Sequence, residues 1–159
     1  MKHEHLRLDY HMVQPEELAE DDRALVEEAK EATYSSFSPY SHFRVGAALR
    51  MENGEVFRGS NQENASFTTG LCAERTAIFY ATAKCPDTAV TTIAIAARGQ
   101  DGAFTQDPIS PCGACRQVLA EIEHRAGRPM RVLLYSLSGI IVMDSVGTLL
   151  PLQFNGDSL

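Results

Sequence analysis

The chain has 159 residues, enough for one domain with a substantial core, and 44% of them are hydrophobic against 22% charged. Lys and Arg number 14 against 21 Asp and Glu, a formal net charge of -7. That balance lacks the basic footprint of a phosphate-polymer binder and speaks against nucleic acid as a partner. No stretch of about twenty apolar residues spans a membrane. The first residues, Met1 to Arg7, lack the apolar run of a secretory signal, so a cytoplasmic location is expected.

His3 to Val13 alternates loosely between polar and apolar residues and reads as a strand with one polar face, within an N-terminal extension of residues 1–14. Its histidines have no regular ligand spacing and are taken as part of that face. Pro15 ends the strand, and a single domain over residues 15–159 begins with a helix to about Thr33. Leu18, Leu25, Val26, Ala29 and Ala32 form its apolar stripe, and acidic residues crowd its first turns, where the helix dipole favours them. A loop follows over Ser35 to Ser41, then a hairpin from Phe43 to Met51 and from Glu55 to Ser60. Asn53-Gly54 joins the two strands as a turn in which both residues are expected at positive φ.

A helix is expected from Cys72 to about Ala83, ending at Cys85-Pro86. Val90 to Ala97 is nearly unbroken in small apolar and β-branched residues, as in a strand covered on both faces. A helix from Gly113 to Ala126 closes at Gly127 and Pro129, and strands follow at Arg131 to Ser136 and Ile140 to Asp144. Val146 to Leu150 makes a short helical turn before Pro151. Strands with intervening helices and an opening hairpin predict an α/β fold with a mixed sheet and helices on both faces.

The four cysteines are Cys72, Cys85, Cys112 and Cys115. In a reducing compartment they point to metal or redox chemistry rather than to disulfides. Cys72 and the pair Cys112 and Cys115 fall at expected helix N-termini, where backbone N–H groups and the dipole favour thiolates. Three arrangements compete. A closed four-cysteine site fails if Cys72 and Cys85 bracket one helix, because its ends lie roughly 20 Å apart while two thiolates on one zinc are about 4 Å apart. A redox Cys-x-x-Cys leaves Cys72 and Glu74 without a role. A catalytic zinc uses three thiolates and keeps a fourth position open for water, which accounts for three cysteines and leaves Cys85 as core.

Glu74 starts in the same turn as Cys72 and suits a general acid and base beside such a water. Zn²⁺ with three thiolates carries a net negative charge that works against deprotonating water. A cation hydrogen-bonded to the sulfurs would offset it, and Arg75 is the nearest in sequence.

Cys72-Ala73-Glu74 and Pro111-Cys112-Gly113-Ala114-Cys115 resemble the zinc deaminase signature in its three-cysteine form. The wider context resembles cytidine deaminase of the short homotetrameric type: Tyr40 to Leu49, Asn61 to Phe67, Cys72 to Ile78, Ser110 to Gln117 and Leu149-Leu150-Pro151. The resemblance covers about Ser35 to Phe154 and implies a three-layer α/β/α sandwich around a mixed five-stranded sheet, with the N-terminal strand added. It implies hydrolytic deamination of cytidine and 2′-deoxycytidine in pyrimidine salvage, with one zinc per chain on Cys72, Cys112 and Cys115. Glu74 would carry protons from water to ring N3 and to the leaving amino group. Asn61 and Glu63 would bind the ribose hydroxyls, Phe43 would pack on the pyrimidine, and Phe67 would help form the pocket. Phe154 would close a neighbouring subunit's site, and Arg75 would bond the thiolates.

Phe67 stands where the family more often has Tyr or Cys, which keeps an aromatic wall but drops a hydroxyl. Within the zinc deaminases, the ribose-binding segment from Asn61 to Ala65 separates this chain from blasticidin deaminases. Cys72, in place of a usual His, separates it from deoxycytidylate deaminases, and the acidic charge from polynucleotide editors. A zinc protein of the same fold whose metal only supports an oligomer is the alternative outside catalysis.

Overall fold

The computed structural model describes residues 1–159, apart from the side chain of Ser158. In chain order the elements are β1 (His11–Val13), α1 (Glu20–Ala32), the hairpin β2 (Arg44–Met51) and β3 (Val56–Ser60), α2 (Ala73–Lys84), β4 (Val90–Arg98), α3 (Gly113–Ala126), and the hairpin β5 (Arg131–Ser136) and β6 (Gly139–Met143). They build one sheet in the order β1-β6-β5-β4-β2-β3, with β4 and β5 parallel and every other pair antiparallel. The α/β class and mixed sheet match expectation. The sheet has six strands rather than five, because β1 joins its edge beside β6.

The N-terminal strand is shorter than the alternation suggests. Only His11, Met12 and Val13 find partners, opposite Val142, Ile141 and Ile140, and residues 1–10 carry no regular structure. Alternation sets which way side chains point, but a strand extends only as far as a neighbouring backbone offers hydrogen bonds. The hairpin turn also differs in detail. Gly54 has φ 87, Asn53 is not at positive φ, and Met51 N–H donates to the Glu55 carbonyl at 2.8 Å. Three residues, Glu52 to Gly54, therefore connect the strands as a turn followed by a left-handed glycine.

Alternation along β2 and β4 sorts the core into two layers. Ala47, Leu49, Met51, Ile93 and Ile95 face α2 and α3, burying Ala73, Ala77 and Leu119. Ala48, Ala94 and Ala96 face the other way, against Leu25, Val26 and Ala29 of α1. Small side chains on both sides let the helices approach closely. A Cβ on Gly59 of β3 would lie 2.4 Å from the Ala77 nitrogen of α2, so only glycine admits that helix at its present depth. Among the described residues, no helix is long and apolar enough to cross a membrane.

Candidate active site

Register brings the chemistry-bearing segments to one edge of the sheet. Arg44 at the start of β2 pairs with Arg98 at the end of β4, and Gly46 pairs with Ser60 at the end of β3. The chain thus leaves β3 into Asn61 and leaves β4 toward Cys112 at the same edge where Phe43 enters β2. The carboxyl ends of strands in an α/β sheet are the usual place for a ligand crevice.

Two helix N-termini meet there. Cys72 occupies the N-cap of α2, and Cys112 occupies the N-cap of α3. Cys115 lies one turn along α3 and is fully buried. The three sulfurs lie within 4.8 Å of one another, with Cys72 Sγ and Cys112 Sγ 3.7 Å apart. Neither N-cap side chain bonds its own helix, so both thiols are free to converge. The Cys115 thiol, hydrogen-bonded to Cys72, holds Cys72 down at about 5, and Arg75 adds to the effect. Cys115 is pushed the opposite way by the same contact. A divalent metal held between the three sulfurs would deprotonate all of them.

Arg75 extends Nη2 to within 3.8 Å of Cys72 Sγ, the contact expected from charge counting. Glu74, in the first turn of α2, is only 4% exposed. Burial raises its carboxyl above the ordinary value, and the negative charge on Cys72 pushes in the same direction. Arg116 donates from Nε to the Pro111 carbonyl at 2.8 Å and from Nη1 to the Leu149 carbonyl at 3.0 Å. It thereby pins the backbone just before Cys112. The local sequence contains no sign of that role.

Cys85 caps the opposite end of α2, where its thiol donates to Glu55 Oε2 at 3.2 Å. Cys85→Ser is expected to leave metal content and turnover at wild-type levels. Metal analysis of the purified variant checks this, and a metal-free product would restore the four-cysteine arrangement.

Cys72 and Arg75 form one wall of an open cavity of about 530 Å³, and Asn61, Glu63, Phe67 and Tyr40 line the rest. The Asn61 amide is oriented by backbone. Its Oδ1 accepts from Val45 N–H at 2.8 Å and from Ser36 Oγ at 2.5 Å, while Nδ2 donates to the Phe43 carbonyl at 2.9 Å. One Nδ2 hydrogen remains for a ligand. Glu63 Oε2 accepts from Tyr40 N–H at 2.9 Å and Ser41 N–H at 3.2 Å, and Oε1 accepts from the Ser41 hydroxyl. The Ser41 hydroxyl is the main influence lowering this carboxyl, so it stands as an anion.

The aromatic residues are placed differently from one another. Phe67 is 79% exposed and meets Tyr40 edge-on at 5.9 Å between ring centres. Phe43 is half-buried at the entrance to β2. Phe154 lies away from the cavity, on the outer side of α3 with Phe79 and Val118, its carbonyl accepting from Gln117 Nε2 at 2.8 Å. In the sequence, Tyr40 and Ser41 stand out only as members of a recognisable stretch, with no separate role.

Fold and site together define an α/β protein with three thiols able to hold a metal and a buried carboxylate beside them. Residues 19–127 match the family described as the cytidine and deoxycytidylate deaminase zinc-binding region, and the chain belongs to that family of hydrolytic deaminases. It is 42% identical over 139 residues to a cytidine deaminase of Halalkalibacterium halodurans, covering 87% of this chain and 98% of that protein. A cytidine deaminase of Sporosarcina psychrophila is 41% identical over 139 residues, covering 87% and 95%. Among solved structures, a cytidine deaminase from Burkholderia pseudomallei superposes with a TM-score of 0.69 at 39% identity, covering 82% of this chain and 97% of that one.

Proposed function

We propose that the protein hydrolyses cytidine and 2′-deoxycytidine to uridine and 2′-deoxyuridine with release of ammonia, in pyrimidine salvage. The observation that carries this reading is the buried Glu74 carboxyl beside three convergent thiols, one of which, Cys72, also lines a cavity shared with Asn61 and the anionic Glu63.

The all-sulfur donor set suits zinc, one per chain, with Cys72, Cys112 and Cys115 as ligands. Zinc held there would supply Lewis acidity and make a nearby water more acidic. Arg75 withdraws charge from the Cys72 sulfur and offsets the negative charge of three thiolates. Glu74 takes the proton of the water that adds at C4 and delivers it to ring N3. It then carries the proton of the new hydroxyl to the amino nitrogen, and the C4–N bond breaks to release ammonia. Burial shields Glu74 from bulk water.

Asn61 and Glu63 bind the sugar. A ribose hydroxyl both donates and accepts, and it meets the free Asn61 N–H and the Glu63 carboxylate with the matching partners. A phosphate only accepts and carries negative charge, so Glu63 repels it. Phe43 packs on the pyrimidine and Phe67 forms an outer wall of the pocket. Phe154, turned away from its own chain's cavity, completes the site of a neighbouring subunit in a homotetramer. The exposed Phe79 and Tyr80 offer apolar surface for that assembly. Residues 15–159 form the catalytic domain, residues 1–14 are an extension, and the enzyme is cytoplasmic.

Zinc-loaded protein is expected to lower the ultraviolet absorbance of cytidine as uridine forms. Cytidine 3′- and 5′-monophosphates should react at least about tenfold more slowly, a difference of about 1.4 kcal/mol. No change with cytidine overturns the activity, and an equally fast monophosphate overturns the role of Glu63.

A further inference from the structure

The Glu63 carboxylate has about four acceptor positions, and three are already filled. Both positions on Oε2 are taken by the backbone N–H groups of Tyr40 and Ser41. On Oε1 one is taken by the Ser41 hydroxyl, which leaves one position free. Ser41 therefore decides where the remaining acceptor points. The same hydroxyl accepts from Phe43 N–H at 3.0 Å, closing a tight turn around His42, which sits at φ 55. One oxygen thus ties the residue assigned to the base to the residue assigned to the sugar. The Ser41 backbone is anchored separately, since its carbonyl accepts from Gln100 Nε2 at 3.4 Å.

We propose that Ser41 is a positioning residue for sugar recognition: its hydroxyl aims the single free acceptor of Glu63 at the nucleoside 3′-hydroxyl and sets its distance from Phe43. This rests on the reading of Asn61 and Glu63 as the ribose clamp. A carboxylate pinned at one oxygen still swings at the other, and the Ser41 hydroxyl removes that freedom. The pairing with the sugar hydroxyl is then formed in advance of binding.

The test compares kcat/KM for cytidine and for 3′-deoxycytidine, which lacks only the hydroxyl in question, in the zinc-loaded wild type and in Ser41→Ala and Ser41→Thr. The ratio of the two substrates within one preparation cancels the fraction of active enzyme. Wild type is expected to favour cytidine about tenfold or more, the scale of a hydrogen bond to a charged group. Ser41→Ala should narrow the ratio to about twofold, on top of any loss common to both substrates through Phe43. Ser41→Thr keeps a hydroxyl and should keep the wild-type ratio. If wild type discriminates and Ser41→Ala discriminates equally, Ser41 only shapes the loop and the inference fails alone. If wild type does not discriminate, the ribose clamp itself is wrong and the inference falls with it.

Discussion

Glu74→Gln is expected to reduce kcat for cytidine by about a hundredfold to ten-thousandfold, the range for removing a positioned acid and base. Bound zinc should remain near one per chain. Glutamine keeps the shape of glutamate but replaces one carboxylate oxygen with an amide nitrogen that cannot take up and return a proton, so the loss reports on the proton transfer. Three features make this position suited to the task. It lies in the first turn of α2, two residues after the Cys72 N-cap, so the backbone that places a metal ligand also places the carboxyl. It is 4% exposed, which excludes competing bulk water. Burial raises its proton affinity above the ordinary value, toward the range useful to a group that must both take and give. Cys115→Ala supplies the contrast: zinc and turnover should fall together, because a buried ligand on α3 is lost. Metal analysis alongside steady-state rates separates the two outcomes. Loss of zinc in Glu74→Gln would make Glu74 a ligand and remove it from the proton path.

How much of such a site is legible in the sequence depends on the range of the interactions that build it. Cys112 and Cys115 are three apart at a helix start, so their convergence follows from helical geometry alone. Cys72 and Cys112 are separated by 40 residues, yet both are helix N-caps, and the motifs around them carry the pairing. Strand β4 is recognisable because both faces must be apolar, and α3 ends at Gly127 because its backbone turns left-handed there, at φ 63. Other features have no local signature. The Ser41 to Glu63 contact joins two polar residues 22 apart whose types fit any loop. The alternation of residues 3–13 is real, but the length of β1 is set by β6, which lies far along the chain. Asn53-Gly54 marks a turn without determining which residue goes left-handed, because the number of residues between the strands decides that.

Asp22→Ala should be the most destabilising change outside the site, by about 3 kcal/mol or more. Asp22 lies in the first turn of α1, in the acidic run that the helix dipole favours, yet it is 3% exposed. Its two oxygens each receive a guanidinium: Arg50 Nη2 of β2 at 2.7 Å and Arg131 Nη1 of β5 at 2.7 Å. The carboxylate thus ties α1 to two strands of the sheet. Arg50 is already constrained, since its Nη1 is buried without a hydrogen-bond partner and Nη2 also reaches Thr92 Oγ1 at 3.1 Å. Removing Asp22 leaves two cations facing each other with nothing between them. That penalty exceeds the loss of either pair, because desolvation of the arginines is no longer offset. For a chain of this length, about 3 kcal/mol corresponds to a drop of roughly 6–12 °C in melting temperature. Thermal unfolding of the zinc-loaded protein measures it. Cytidine turnover at 25 °C should stay near wild type, because α1 packs on the sheet face opposite α2 and α3. Replacing Asp22, Arg50 and Arg131 together by apolar residues should recover much of the stability, since no charge is then left unpaired. An unchanged melting temperature in Asp22→Ala would mean that hydration replaces the ion pairs and that α1 is held by its apolar stripe alone.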